Sequence, residues 1–263
     1  MMVAMTTRQL SLAAGTILDV DPATAVRVAE AAGFPAVGIW FDPATWTAQR
    51  AKDVRRTLDA SPVIALDIEP VMLTPDGDHG DAIVDAAQEI GARHILVASR
   101  DADVARVGNR LRELSERLGD SGIRLVLEFL PILGIKTLHD ALAAVQVADH
   151  PSIGVLIDSL HLARAGHSPA DLANLDPRLF PYLQLCDAPS TLEEDSMKAR
   201  LHEALHGRLL PGEGGLALKE LLAVVADVPI SLELRSESLM ASYPDPIERA
   251  CALHRATTAF LGY

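Results

Sequence analysis

Short runs of apolar and β-branched residues recur along the chain, and each is followed by a longer stretch with a helical apolar period. The runs cover 9–17, 36–41, 63–68, 94–99, 123–130, 153–158, 181–186 and 230–235. Several are apolar at consecutive positions, as in Leu125-Val126-Leu127 and Gly154-Val155-Leu156-Ile157. Continuous apolar runs predict strands buried on both faces, the mark of a parallel sheet. Between them, Val104, Val107, Leu111, Leu114 and Leu118 keep one helical face and are followed by Gly119 and Gly122. A helix over 22–32 opens on Asp21-Pro22 and stops at Gly33, the asymmetry expected of helix ends. Further helices are predicted over 81–90, 137–148, 216–226 and 246–260.

Eight strand–helix units in 263 residues predict a single-domain (β/α)8 TIM barrel over residues 1–263. A doubly wound open sheet would carry a glycine-rich phosphate turn after its first strand, whereas this chain has Thr16-Ile17-Leu18-Asp19 there. With 23 Lys and Arg against 36 Asp and Glu, the net charge is −13. That balance excludes a nucleic-acid partner, which needs a basic surface, and disfavours an anionic membrane. Cys186 and Cys251 are too few for a disulfide framework or a thiolate metal cluster. The N-terminus lacks a basic-then-apolar signal pattern, and no apolar run approaches about 18 residues. A cytoplasmic protein acting on a small molecule is therefore expected.

In such a barrel the working residues sit at the C-terminal ends of the strands. Four consecutive strands carry a polar residue there between apolar neighbours: Glu128, Asp158, Gln184 and Glu233. A lone buried carboxylate is costly unless it is paired, protonated or bound to a metal. Two carboxylates could serve as a general acid/base pair. Three with an amide look more like an all-oxygen cage, which suits Mg²⁺ or Mn²⁺ better than Zn²⁺. The plainer alternative is that one or two of them cap helices or pair with Arg235 or Arg124.

The segment Ile153-Gly154-Val155-Leu156-Ile157-Asp158-Ser159-Leu160-His161 resembles the D-x-x-H strand of the xylose-isomerase-like barrels. Tyr182 to Pro189, Arg208 to Gly214 and Ser231-Leu232-Glu233 continue the resemblance. That superfamily holds sugar isomerases, keto-sugar epimerases, inosose and dehydroshikimate dehydratases, and endonuclease IV. The resemblance implies one divalent ion on Glu128, Asp158 and Glu233, with Glu128 and Glu233 also moving protons. It implies that His161, on the loop leaving strand six, contacts substrate or carries a proton, and that Arg208 clamps a substrate oxygen. Gln184, where many epimerases have His, looks more like the dehydroshikimate-dehydratase branch. That branch has a basic residue at the end of strand three, where this chain has Asp67-Ile68-Glu69. Two acids there are expected to repel an anionic ring acid. Trp40 could wall the pocket, Glu69 and Arg235 lie near its mouth, and Glu213 reads as a turn residue.

His202-Glu203-Ala204-Leu205-His206 fits the H-E-x-x-H zinc motif. The metzincin glycine and third histidine do not follow, so this stretch reads as the solvated face of a segment between strands seven and eight. Nucleophile-elbow and phosphate-loop motifs are absent. The expectation is a divalent-metal-dependent isomerase or epimerase acting on a small keto sugar or polyol. It would remove a proton next to a carbonyl polarised by manganese or magnesium. The alternatives are a metal-dependent dehydratase (a lyase) and, more remotely, a non-catalytic ligand-binding barrel. A homodimer fits any of these readings.

Overall fold

The computed structural model describes residues 8–225 and 227–263. The N-terminal signal expectation, which rests on residues 1–7, and the last residue of the helix expected over 216–226 lie outside them. The strands are β1 (Leu10–Leu12), β2 (Ala36–Trp40), β3 (Ile64–Leu73), β4 (His94–Ser99), β5 (Arg124–Glu128), β6 (Ile153–Asp158), β7 (Leu183–Leu185) and β8 (Ile230–Leu232). They pair in parallel in sequence order, and β1 also pairs with β8, which closes the barrel. The helices are α1 (Pro22–Ala31), α2 (Ala48–Asp59), α3 (Gly80–Ile90), α4 (Val104–Leu118), α5 (Leu138–Ala148), α6 (Ser159–Arg164), α7 (Met197–His206), α8 (Leu218–Val224), α9 (Glu237–Ser242) and α10 (Pro246–Leu261).

Local chemistry sets these boundaries. Asp21 accepts hydrogen bonds from the Ala23 and Thr24 amides and so starts α1, with Pro22 supplying a preset φ. Thr137 and Asp140 form a reciprocal capping box at the start of α5. Gly91 ends α3 at φ +71°, a conformation that favours glycine. On α4, Val107, Leu111, Leu114 and Leu118 are buried, as their spacing predicts. α2 was not expected from the pattern, because its only buried side chains are Ala51, Val54 and Leu58 among seven charged or amide residues.

The end strands are shorter than the apolar runs that announced them. β1 stops at Leu12, and the chain then makes a tight 3-10 turn over Ala14–Thr16. β3 is longer than expected and carries an extra residue against β2, since Val37 pairs with Ala65 and Gly38 with Asp67. Two apolar regions result. One fills the space between strands and helices. The other plugs the barrel interior with Ala36, Leu66, Leu96, Val126, Leu156 and Tyr182, none more than 3% exposed. The interior is thus filled with side chains rather than open, and the C-terminal rim above it is left to hold the site.

Candidate active site

Glu128 and Asp158 end β5 and β6, Gln184 lies in β7 level with Asp158, and Glu233 follows the last residue of β8. Parallel closure brings these four strand ends to one rim. All four side chains are buried, at 6%, 0%, 0% and 7% exposure respectively. With its nitrogen turned toward the carboxylates, the Gln184 amide bridges Glu128 Oε1 and Glu233 Oε2 at 3.2 Å each. Glu69 Oε2 lies 3.5 Å from the same amide group. Three of the four expected cage residues therefore meet directly. Room for Glu233 comes from Gly15, where a Cβ would stand 2.5 Å from Glu233 Oε1.

Asp158 is engaged on both oxygens. Its Oδ1 accepts from the amides of Leu160 (2.7 Å) and His161 (3.1 Å), which caps α6, and its Oδ2 accepts from Arg208 Nη1 at 2.6 Å. Burial works against its charge, but Arg208 and His161 hold Asp158 below the ordinary carboxylate range. Arg208 Nη1 also lies 3.4 Å from Glu233 Oε2, and Arg235 Nε lies 3.4 Å from Glu233 Oε1. The Arg235 guanidinium stacks over Trp40 at 5.5 Å from the ring centre. His161 Nε2 is 3.9 Å from Glu128 Oε1 and 3.4 Å from Arg208 Nη2. Burial lowers the His161 pKa, so the imidazole is neutral at physiological pH.

The remaining carboxylates are poorly compensated. Burial, followed by repulsion from Glu233 and Asp158, pushes Glu128 well above the usual carboxylate range. Burial, then Asp67 and Glu233, does the same to Glu69. Asp67, beside Tyr182, is raised to about 7 by burial and by Glu233. Neither oxygen of Asp67 nor Glu69 Oε1 has a hydrogen-bond partner. Among the described residues, the carboxylates Glu69, Glu128, Asp158 and Glu233, with Asp67 buried below them, are countered at this rim by the guanidiniums of Arg208 and Arg235. Crowded, under-compensated carboxylate oxygens are the donor chemistry of a divalent-cation site. Ligand atoms of Glu128, Asp158 and His161 lie within 4.8 Å of one another. These residues fit such an ion.

A cavity of about 300 Å³ opens over the cluster, in the size range of a small-molecule site. It is lined by Trp40, Glu69, Met72, Arg100, Glu128, Leu130, His161, Arg208, Glu233 and Arg235, among others. Every residue expected to bind substrate therefore borders the cavity, although several expectations need correcting. His161 lies within α6 rather than on a loop, because Asp158 starts the helix at the strand's last residue. Arg208 is 2% exposed, and its guanidinium is already committed to Asp158. The two strand-three acids do not both face the mouth: Asp67 is sealed below at 0% exposure, and only Glu69 reaches the cavity. Arg100 and Arg235 border the same cavity as Glu69. Arg100 was not singled out from the sequence, although it directly follows the run 94–99. Both plainer alternatives are realised beside the cluster, since Asp158 caps a helix and Glu233 pairs with Arg235. Arg124 instead donates to the Arg178 carbonyl at the opposite end of the strands. Glu213 accepts from the Leu210 amide at 3.3 Å, as a turn residue. Glu203 contradicts the solvated-face reading: it is 5% exposed and points inward from α7.

A family model described as xylose isomerase-like TIM barrel matches residues 26–257. The chain belongs to this family. It is 32% identical over 168 residues to a 3-dehydroshikimate dehydratase of Pseudomonas aeruginosa, an alignment covering 60% of this chain and 26% of that protein. The chain thus spans about a quarter of the length of that relative. A xylose isomerase-like TIM barrel/4-hydroxyphenylpyruvate dioxygenase fusion protein superposes with a TM-score of 0.80 at 24% identity, covering 95% of this chain and 42% of that one. IOLI protein, whose structure holds a zinc atom, superposes with a TM-score of 0.81 at 15% identity, covering 96% and 97% of the two chains. The two structural likenesses establish the shared barrel. Among the described residues no helix is long and apolar enough to cross a membrane.

Proposed function

We propose that this barrel removes a proton from the carbon next to a carbonyl of a small, hydroxyl-bearing substrate and expels a β-hydroxyl as water. Glu128, Asp158, Gln184 and Glu233 would hold one divalent cation, with Mg²⁺ or Mn²⁺ favoured by the oxygen donors. When bound, that ion supplies Lewis acidity that lowers the cost of forming negative charge on the carbonyl oxygen.

The observation that carries the reading is an asymmetry around the cavity. His161 is buried, borders the cavity and lies 3.4 Å from a single guanidinium, that of Arg208. Glu233 lies within 3.4 Å of two, those of Arg208 and Arg235. His161 can accept the C–H proton and hand it to the departing hydroxyl, so one group serves both halves of an elimination. Epimerisation needs a second proton carrier on the opposite face of the carbon. Glu233 would have to break both ion pairs to act as one. Similarity to a 3-dehydroshikimate dehydratase supports the same outcome. Arg100 and Arg235 give an anionic substrate somewhere to dock, and Trp40 offers a flat wall to a ring.

The experiment is incubation with 3-dehydroshikimate and Mn²⁺ or Mg²⁺ in deuterated buffer. The expected result is a conjugated, ultraviolet-absorbing product formed by loss of one water, abolished by chelation. Deuterium entering recovered keto sugars without water loss would instead establish isomerase or epimerase chemistry, the second reading. That reading keeps support from Glu128 and Glu233 flanking the Gln184 amide on either side. Absence of both signals across keto sugars and cyclic keto acids overturns enolisation.

A further inference from the structure

Three ion pairs among the described residues have both side chains less than 10% exposed. Two belong to the site itself: Arg208–Asp158 and Arg208–Glu233. The third is Arg164–Glu203, with side chains 9% and 7% exposed. We propose that Arg164 and Glu203 are a positioning pair that fixes His161 and Arg208 relative to each other. This rests on the roles given to the site above.

The geometry is a clamp. Arg164 Nε and Nη2 donate to Glu203 Oε2 and Oε1, both at 2.7 Å, the two-pronged match of guanidinium and carboxylate. The remaining donors of Arg164 go to the carbonyls of Pro189 (2.6 Å) and Ser190 (3.3 Å), on the loop after β7. Arg200, also on α7, returns a bond to the Arg164 carbonyl at 3.2 Å. One end of the clamp is α6, where His161 lies one turn before Arg164. The other end is α7, where the Ala204 carbonyl next to Glu203 accepts from Arg208 Nε at 3.1 Å. Arg208 then reaches Asp158, and its Nη2 lies 3.4 Å from His161. The loop from Glu203 to Arg208 to His161 and back to Arg164 closes on itself. A buried ion pair is a weak source of stability, because a well-packed apolar pair often does as well or better. What an apolar pair does not supply is a two-pronged, directional lock between two short helices.

The inner residue of the H-E-x-x-H stretch is therefore not a zinc-site base. His202 and His206 lie on the outside of the helix, with His206 Nδ1 3.1 Å from exposed Glu237. Glu203 points the other way, toward the barrel.

The test compares the wild-type chain with Arg164→Met/Glu203→Leu and with Glu203→Gln. Each is measured for thermal midpoint, for solvent exchange of the Arg208 Nε–H by ¹⁵N NMR, and for turnover of 3-dehydroshikimate. We expect the apolar pair to keep the midpoint within about 4 °C of wild type. Exchange at Arg208 should be at least ~10-fold faster, and kcat ~10–100-fold lower with KM within ~3-fold, as slight misplacement of reacting groups predicts. A folded double variant with wild-type exchange and kcat overturns the proposal. If the double variant does not fold, Glu203→Gln decides by the same two readouts, since it keeps the shape and loses the charge. If the wild-type protein turns over nothing, the proposed reaction has failed, whereas the NMR exchange rates still decide the positioning role.

Discussion

Two storeys of the barrel interior are built from the same strands and differ in everything else. The lower storey holds Val126, Leu156 and Tyr182, and the upper holds Glu128, Asp158 and Gln184. In each case a step of two residues along one strand, the period that returns a side chain to the same face, separates packing from chemistry. The lower storey gains from every apolar atom it buries. The upper storey gathers like charges out of water, which costs stability that the rest of the fold must offset. Stability and reactivity are therefore separated by height in the barrel rather than by domain.

The sharpest way to break the comparison is at His161. Replacing it by alanine should lower turnover ~10²–10⁴-fold, the range for loss of a proton carrier, with little change in urea stability. An equal loss of stability would move His161 into the packing storey. Leu156→Ala should do the reverse. It leaves a void at a fully buried position and should cost ~2–5 kcal/mol in urea unfolding, while turnover per folded molecule stays near wild type.

His94, at the start of β4, tests the lower storey through pH. Its Nδ1 lies 2.9 Å from the Leu66 carbonyl, and burial lowers its pKa to about 4 from 6.5. Well above pH 6.5 the ring is neutral in both states and contributes no pH dependence. As pH falls from 6.5 toward 4 the unfolded chain takes up the proton first, so stability is lost across that window, by about 3 kcal/mol in total. His94→Gln should flatten that part of the stability curve, which chemical denaturation at stepped pH would show. The smallest effect on stability is expected at Glu128. Changing it to Gln relieves the cost of a buried, under-compensated carboxyl and should raise the midpoint of metal-free protein by roughly 2–4 °C, equivalent to about 1 kcal/mol, while abolishing turnover. A lowered midpoint would show that Glu128 is a structural partner of His161.

The barrel was legible because parallel strands buried on both faces leave continuous apolar runs, and β4 and β6 match the runs 94–99 and 153–158 end to end. The short strands were overextended, because β7 and β8 keep apolar character past the last ladder residue: Cys186 and Leu234 are still buried. α2 was missed because three buried side chains make too narrow a stripe to stand out. At the site, Glu128, Asp158, Gln184 and Glu233 were legible as polar residues inside apolar strands. Ion-pair partners were not, because Arg208 and Asp158 are 50 positions apart and only the closed barrel joins them. Glu203 was misread for a related reason. An acid among Lys198, Arg200 and two histidines looks solvated until α6 is packed beside it.

The backbone of Gly15 stands beside Glu69, and its missing side chain is the space in which Glu233 stands. A residue with no functional group of its own thus sets the elbow room of two acids contributed by opposite ends of the chain. Drift at this locus is fenced by volume alone: even one methyl would collide with a carboxylate oxygen. A survey of variants that ranks positions by what their side chains can do would pass over Gly15, where bareness is the functional trait.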